Sequence, residues 1–181
     1  MNDITAAAPP APVAVAEAIS GEAIAREIAD MGVTHVITVP DTNLKTAIAA
    51  LEKAQRVKML YVCTEDEGMG INAGLYMAGL KPMMLIQNNG LYACINTLKA
   101  IALDAQVPTF MLIGQYGRDV TKTVEENRLR SVRLLEPTLE TWGVPSFRLE
   151  HKTDIGNIRL AWQKAWEIVG PTAAIIGAPT S

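Results

Sequence analysis

Three acids stand in a row in Thr64-Glu65-Asp66-Glu67-Gly68, just before the uncharged run Met69-Gly70-Ile71-Asn72-Ala73-Gly74-Leu75-Tyr76-Met77-Ala78. A carboxylate at the mouth of an apolar, glycine-rich helix can share a proton in a low-dielectric pocket, the task of a general acid or base. The plainer reading is that the acids decorate a helix N-terminus, where the macrodipole favours negative charge. Each glycine lowers helix propensity by up to about 1 kcal/mol, so a run that keeps several needs a smooth, close-packed face. Glu67, the last acid, is the candidate.

Three further segments offer neutral hydrogen-bonding groups beside small residues: Pro40-Asp41-Thr42-Asn43, Gln87-Asn88-Asn89-Gly90 and Gly114-Gln115-Tyr116-Gly117-Arg118. Familiar catalytic kits are missing. No Gly-x-Gly-x-x-Gly follows a strand and no Gly-x-x-x-x-Gly-Lys-Ser/Thr occurs, which disfavours dinucleotide and P-loop sites. His35 and His151 stand alone, with surface or edge placement expected. Cys63 and Cys94 lack metal-ligand spacing and read as buried, reduced thiols. Without a Gly-x-Ser-x-Gly elbow, covalent hydrolase chemistry lacks its parts.

The elements that must position these groups alternate along the chain. Apolar runs at His35–Val39, Lys58–Cys63, Pro82–Gln87, Thr109–Ile113, Ser146–Leu149 and Ala173–Ile176 read as strands covered on both faces. Helices are expected at Ser20–Met31, Thr42–Gln55, Glu67–Ala78, Leu91–Asp104, Pro137–Thr141 and Asp154–Val169, with Gly32, Gly79 and Gly170 as terminating glycines. Asp154 is a candidate cap for the last helix, and Trp162 and Trp166 share one of its faces toward the core. The polar stretch from Arg118 to Glu136 reads as a mobile loop or short helix. Strand–helix alternation implies right-handed crossovers. The expected fold is therefore α/β, a doubly wound, mostly parallel six-stranded sheet with helices on both faces. Ligands of such sheets bind beyond the carboxyl ends of the strands, where the polar segments fall.

Composition sets the frame. The 181 residues suit one domain, expected over 17–181 behind a flexible Ala/Pro-rich leader at 1–16. The chain is 49% hydrophobic and 19% charged, against about 25% charged in an average soluble chain. It can therefore build a large core without disulfides. A net charge of −3 with no basic run argues against nucleic acid or anionic membrane as partner. No apolar stretch approaches the roughly 20 residues of a membrane span. A cytoplasmic protein is expected.

Taken in order, the motifs form a familiar series. It runs through Val39-Pro40-Asp41-Thr42, Glu67-Gly68 opening a Gly/Ala helix, and Gln87-Asn88-Asn89-Gly90-Leu91. Val107-Pro108 before Leu112-Ile113-Gly114, and then Thr138-Leu139-Glu140-Thr141-Trp142-Gly143-Val144-Pro145, continue it. From about Gly21 to Pro179 the chain resembles the pyrimidine-binding (PYR) domain of thiamine-diphosphate-dependent enzymes, most of all the sulfopyruvate and phosphonopyruvate decarboxylase group. The resemblance implies that the glutamate matched by Glu67 hydrogen-bonds N1′ of the cofactor's aminopyrimidine. This favours the imino tautomer that activates C2 of the thiazolium for attack on a 2-oxo acid. It implies cofactor contacts from Gln87, Asn88, Gly90 and Leu91. Substrate contacts are expected from Asp41, Thr42, Asn43 and Asn89, with Arg118 either a fork for a second substrate anion or a solvated loop arginine. For Thr42 a helix N-cap, and for Asn88-Asn89-Gly90 a plain turn, remain the alternatives. The Gly-Asp-Gly…Asn-Asn motif of diphosphate-binding (PP) domains is missing from the sequence. The resemblance therefore implies half an active site, with Mg2+ and the diphosphate on a separate PP-domain β-subunit in an α2β2 or larger hetero-oligomer. Alternatives are a carboligase or lyase subunit using the same cofactor, a non-catalytic assembly subunit and a stand-alone small-molecule-binding module.

Overall fold

The computed structural model describes residues 17–181; the expected leader lies outside the described residues. Six strands form one all-parallel sheet in the order β2-β1-β3-β4-β6-β5. They are β1 His35–Thr38, β2 Lys58–Tyr61, β3 Pro82–Gln87, β4 Thr109–Gly114, β5 Ser146–Leu149 and β6 Pro171–Ile176. The helices are α1 Gly21–Asp30, α2 Lys45–Ala54, α3 Glu65–Met77, α4 Asn88–Ala93, α5 Ile95–Thr97, α6 Arg130–Arg133, α7 Leu135–Thr141 and α8 Gly156–Ile168.

The sheet divides its side chains by the two-residue period of a strand. Met83 and Leu85 of β3, Phe110 and Leu112 of β4, and Ala174 and Ile176 of β6 join α1, α2 and α8 in one core. Their neighbours Met84 and Ile86, Met111 and Ile113, and Ala173 and Ile175 join Met69, Leu91, Leu98, Leu135 and Leu139 in the other. Both faces are covered over β1, β3, β4 and β6, whereas the edge strands β2 and β5, expected to be covered too, are partly exposed. Trp162 and Trp166 meet edge to face at 5.5 Å, and Trp162 also packs on Phe110.

Several local readings need correction. Helix α3 begins at Glu65, two residues before the expected start, because Thr64 caps it by accepting a hydrogen bond from the Glu67 amide. Helix α2 begins at Lys45 rather than Thr42, because Asp41 Oδ1 accepts the Asn43 N–H and holds residues 41–43 in a turn. The single helix expected over Leu91–Asp104 starts at Asn88, breaks at Cys94 and ends in a π-helical stretch, Leu98–Asp104. Asp154 lies in a 3-10 turn, Lys152–Ile155, before α8 and accepts the Glu150 and His151 amides at 2.9 Å. The left-handed residue ending α8 is Val169 rather than Gly170. His35 is buried in an interior strand, and burial, helped by Lys58, holds its pKa below the ordinary histidine value. Cys63 is exposed; only Cys94 is the buried thiol expected. Among the described residues no helix is long and apolar enough to cross a membrane.

Candidate functional site

From β1 the chain turns to α2 on one face of the sheet, while from adjacent β3 it turns to α4 on the other. The crevice between their carboxyl ends is where a doubly wound sheet receives ligands. Around it stand the segments after β1, β2, β3 and β4.

The acids after β2 part company. Glu67 is exposed, and its Oε2 accepts the Cys63 amide at 3.0 Å. With Thr64 accepting from the Glu67 amide, the Glu67 side chain is turned back over the start of α3 to the residue before the cap. Asp66 accepts from the Thr97 hydroxyl at 2.7 Å. Glu65 is the buried member, 9% exposed, and no hydrogen bond reaches its carboxylate among the described residues. That carboxylate rests on Gly90, where any Cβ would overlap it. Its charge, second to burial itself, helps push the Cys94 thiol up to about 12. A carboxylate on a mostly buried residue, with no hydrogen bond to its oxygens among the described residues, is left available to an incoming donor.

After β3 the amides divide by role. Asn88 is fully buried; its Oδ1 accepts the Asn89 and Tyr116 amides, and its Nδ2 donates to the Tyr116 and Ser131 carbonyls. It therefore ties α4 to the β4 loop. Asn89 is exposed and donates to Gln87 Oε1 at 3.0 Å, which leaves the two amides side by side at the strand end. Leu91 is wholly within the core.

After β1, Asp41 is 8% exposed with Oδ2 buried and unpartnered. Burial raises its carboxyl pKa against the lowering effect of the Asn43, Leu44 and Thr42 amides. A Cβ at Gly114 would lie 3.2 Å from that oxygen, so a glycine at the end of β4 makes room for it. Thr42 is exposed, and the Asn43 carbonyl accepts from the Thr180 hydroxyl at 2.7 Å.

Arg118 is not a solvated loop arginine. Its side chain is 8% exposed; Nη1 donates to the Asp119 and Lys122 carbonyls and Nη2 stands 3.6 Å from Glu150. These bonds, with those of Asn127 to Asp119 and Thr123, tie down the segment read as a mobile loop or short helix, and α6 supplies the short helix within it. Sequence reasoning marked the segment holding Gln115 but missed Arg148. Gln115 is buried, donates to the Val132 carbonyl and accepts from Arg148, which also pairs with Glu136 and Glu150. The arginine in Phe147-Arg148-Leu149, breaking an apolar strand, was the available signal.

Thus the structure brings Glu65 to Gly90, Asp41 to Gly114, and Gln87 to Asn89. It leaves Glu67 at the helix cap and Leu91 in the core. The residues fit the pyrimidine end of thiamine diphosphate: Glu65 is an acceptor with no hydrogen bond among the described residues, the backbone at Gly90 lacks a side chain, and Gln87 and Asn89 offer neutral amides at the end of β3.

Comparison with known proteins identifies the family. Residues 20–133 match the family "Thiamine pyrophosphate enzyme, N-terminal TPP binding domain". Sulfopyruvate decarboxylase subunit alpha of Methanococcus maripaludis is 30% identical over 128 residues, 71% of this chain and 75% of that protein. The Methanothermobacter thermautotrophicus protein of the same name is 28% identical over 151 residues, 81% of this chain and 92% of its own length. In fold alone the chain is similar to the 2-oxoglutarate:ferredoxin oxidoreductase of Magnetococcus marinus. The TM-score is 0.64 at 14% identity, covering 87% of this chain and 28% of that one. The chain belongs to the thiamine pyrophosphate enzyme family and carries its N-terminal cofactor-binding domain.

Proposed function

We propose that the chain is the α-subunit of a two-component thiamine-diphosphate-dependent 2-oxo acid decarboxylase, with Glu65 as the carboxylate that activates the cofactor's aminopyrimidine. The observation that carries this reading is Glu65, a mostly buried residue whose carboxylate has no hydrogen-bond partner among the described residues and sits against Gly90. The α-subunit naming of the relatives supports the division of labour. When bound, thiamine diphosphate supplies the carbon nucleophile and the electron sink for loss of CO2.

The chain's own residues would do the following. Glu65 holds a proton at the pyrimidine N1′ position, a role Glu67 cannot share while it caps α3. Gly90 keeps that approach open, Gln87 and Asn89 offer neutral hydrogen bonds beside it, and Asn88 fixes their backbone. Leu91 acts from the core, holding α4 in place. Asp41, Thr42 and Asn43 face the 2-oxo acid. The diphosphate and Mg2+ belong to a separate PP-type β-subunit in an α2β2 or larger assembly. A face of α3 supports such a partner: Met77 is 79% exposed, and Gly70 and Gly74 have open space above them.

The test is reconstitution. This chain mixed with a PP-type chain from the same source, thiamine diphosphate and Mg2+ should release CO2 from a 2-oxo acid, while neither chain does so alone. A complex that forms and releases none from a panel of 2-oxo acids overturns the proposal.

A further inference from the structure

Asp66 stands between Glu65 and Glu67, and its carboxylate turns to a different neighbour from either. Its Oδ1 accepts from the Thr97 hydroxyl at 2.7 Å. Among the described residues no other hydrogen bond joins α3 to the helical run from Asn88 to Asp104. A charge-assisted O–H···O bond of this length is roughly twice as strong as a neutral one. The Thr97 hydroxyl also lies 2.9 Å from the Cys94 carbonyl, at the break between α4 and α5. Its single proton serves one acceptor at a time, and the carboxylate is the nearer.

Gly90, Cys94 and Thr97 follow one another at spacings of four and three, so on a helical run they share one face. Three observations set that face against the start of α3. The Glu65 carboxylate rests on Gly90, and the Asp66 carboxylate is bonded to Thr97. Cys94, between them in the chain, is fully buried; burial first, then the charges of Glu65 and Asp66, push its thiol up to about 12. Two adjacent residues of α3 thus grip its neighbour at two separate points. One contact alone would leave the helix free to roll about it. The contact at Gly90 is one of van der Waals packing and sets no direction, whereas the bond to Thr97 is directional and fixes the roll. Thr97 is followed at once by the π-helical stretch Leu98–Asp104, an irregularity frequent at functional sites.

We infer that Thr97 is a positioning residue for the Glu65 carboxylate, acting through Asp66. Its hydroxyl is committed to Asp66 and Cys94, so it works through the first turn of α3, setting the angle at which Glu65 is presented. The inference rests on the decarboxylase reading for the chemistry served, while the placement of Glu65 is a property of the chain itself. A hydrogen bond near solvent adds little to folding stability, whereas about an ångström of misplacement at a reacting group can cost about a hundredfold in rate. Loss of the Thr97 hydroxyl should therefore show in catalysis before it shows in stability.

Two measurements test it. The first reads the full chain alone, by NMR at the Gly90 amide, which the Glu65 carboxylate touches. Glu65→Gln should displace that signal, and the displacement should shrink by about half or more in a Thr97→Val background. Thr97→Ser, which keeps the hydroxyl, should restore it. The same displacement in all three backgrounds overturns the positioning role. In the second, the reconstituted complex is assayed on a 2-oxo acid under saturating thiamine diphosphate and Mg2+. Thr97→Val should lower kcat about tenfold with KM within about twofold and the urea midpoint of the chain unchanged, and Thr97→Ser should recover most of the loss. Asp66 is exposed, so Asp66→Ala removes the same bond without touching the core. It should cost as much as Thr97→Val, and the double variant no more than either. Full activity in Thr97→Val, or losses that add in the double variant, overturn the inference. A wild-type complex inactive on every 2-oxo acid counts against the decarboxylase reading instead, and the Gly90 signal then decides whether Thr97 places Glu65.

Discussion

The Glu65 carboxylate lies directly on the Cα of Gly90, so that a methyl group at residue 90 could not coexist with it. Residue 90 belongs to the first turn of α4 and residue 65 opens α3, so two helix starts from different strands meet at this point. The consequence is a carboxylate held where two helices begin and not consumed by a hydrogen bond among the described residues.

Gly90→Ala should displace this carboxylate without unfolding the chain, because the obstructing atoms are the end of a flexible side chain. The expected stability loss is about 1–2 kcal/mol by urea titration. Decarboxylation by the reconstituted complex should fall at least a hundredfold, a disproportion that a purely structural glycine would not give. Activity and stability falling together in simple proportion would count against the reading.

Gly70 tests the exposed face of α3. Nothing stands within 4 Å of a Cβ there, so Gly70→Ala should stabilise the isolated chain by about 0.5–1 kcal/mol. If this face meets the β-subunit, the same change should weaken association several-fold in sedimentation. A variant that is more stable yet associates normally would remove α3 from the interface.

The two cysteines should separate by alkylation. Iodoacetamide at pH 8 is expected to label Cys63 alone in the native chain and both after urea, since Cys94 is buried with its thiol pushed up to about 12. The unfolded chain releases this proton near the ordinary value of 9.0, the native chain only much higher. The unfolded state therefore binds fewer protons between those values, and stability falls as pH rises through that window. Cys94→Ala should flatten the fall; an unchanged slope would place its cause elsewhere.

Asp41 gives the acid-side counterpart. Its pKa is raised by burial, so the native state penalises the ionised form and stability declines as pH rises from the ordinary 3.8 toward the raised value. Asp41→Asn retains an acceptor for the Asn43 amide and should abolish that decline, leaving the variant at least as resistant to urea as the wild type at pH 7. A lower midpoint at pH 7 would show that the ionised carboxylate stabilises the loop.

Much of the scaffold can be read from residue types, because strands covered on both faces must be apolar throughout. Pro82–Gln87 and Thr109–Ile113 are found where their composition places them, β4 running one residue further to Gly114. The helix starts are less legible, since they depend on which side chain captures an amide. Thr64-Glu65-Asp66-Glu67 has the Thr-x-x-Glu spacing of a capping box, and that spacing marks Glu67 as the capping acid. The choice among three adjacent acids needed the burial of Glu65, which depends on Gly90, 25 positions away. Arg118 could not be assigned from sequence for the same reason. Its partners include Glu150, which is brought near only by the pairing of β5 with β6 and the turn of the β4 loop.

The most direct test of the central claim compares Glu65→Gln with Glu67→Gln in the reconstituted complex, assayed for CO2 release under saturating thiamine diphosphate and Mg2+. Removing the proton-holding carboxylate should lower kcat by about 10²–10⁴-fold in Glu65→Gln. Glu67→Gln, which still offers an oxygen to the Cys63 amide, should stay within about threefold of wild type, its cost confined to a fraction of the roughly 1 kcal/mol of a helix cap. Full activity in Glu65→Gln together with loss in Glu67→Gln would contradict the account and return the role to the acid at the helix cap.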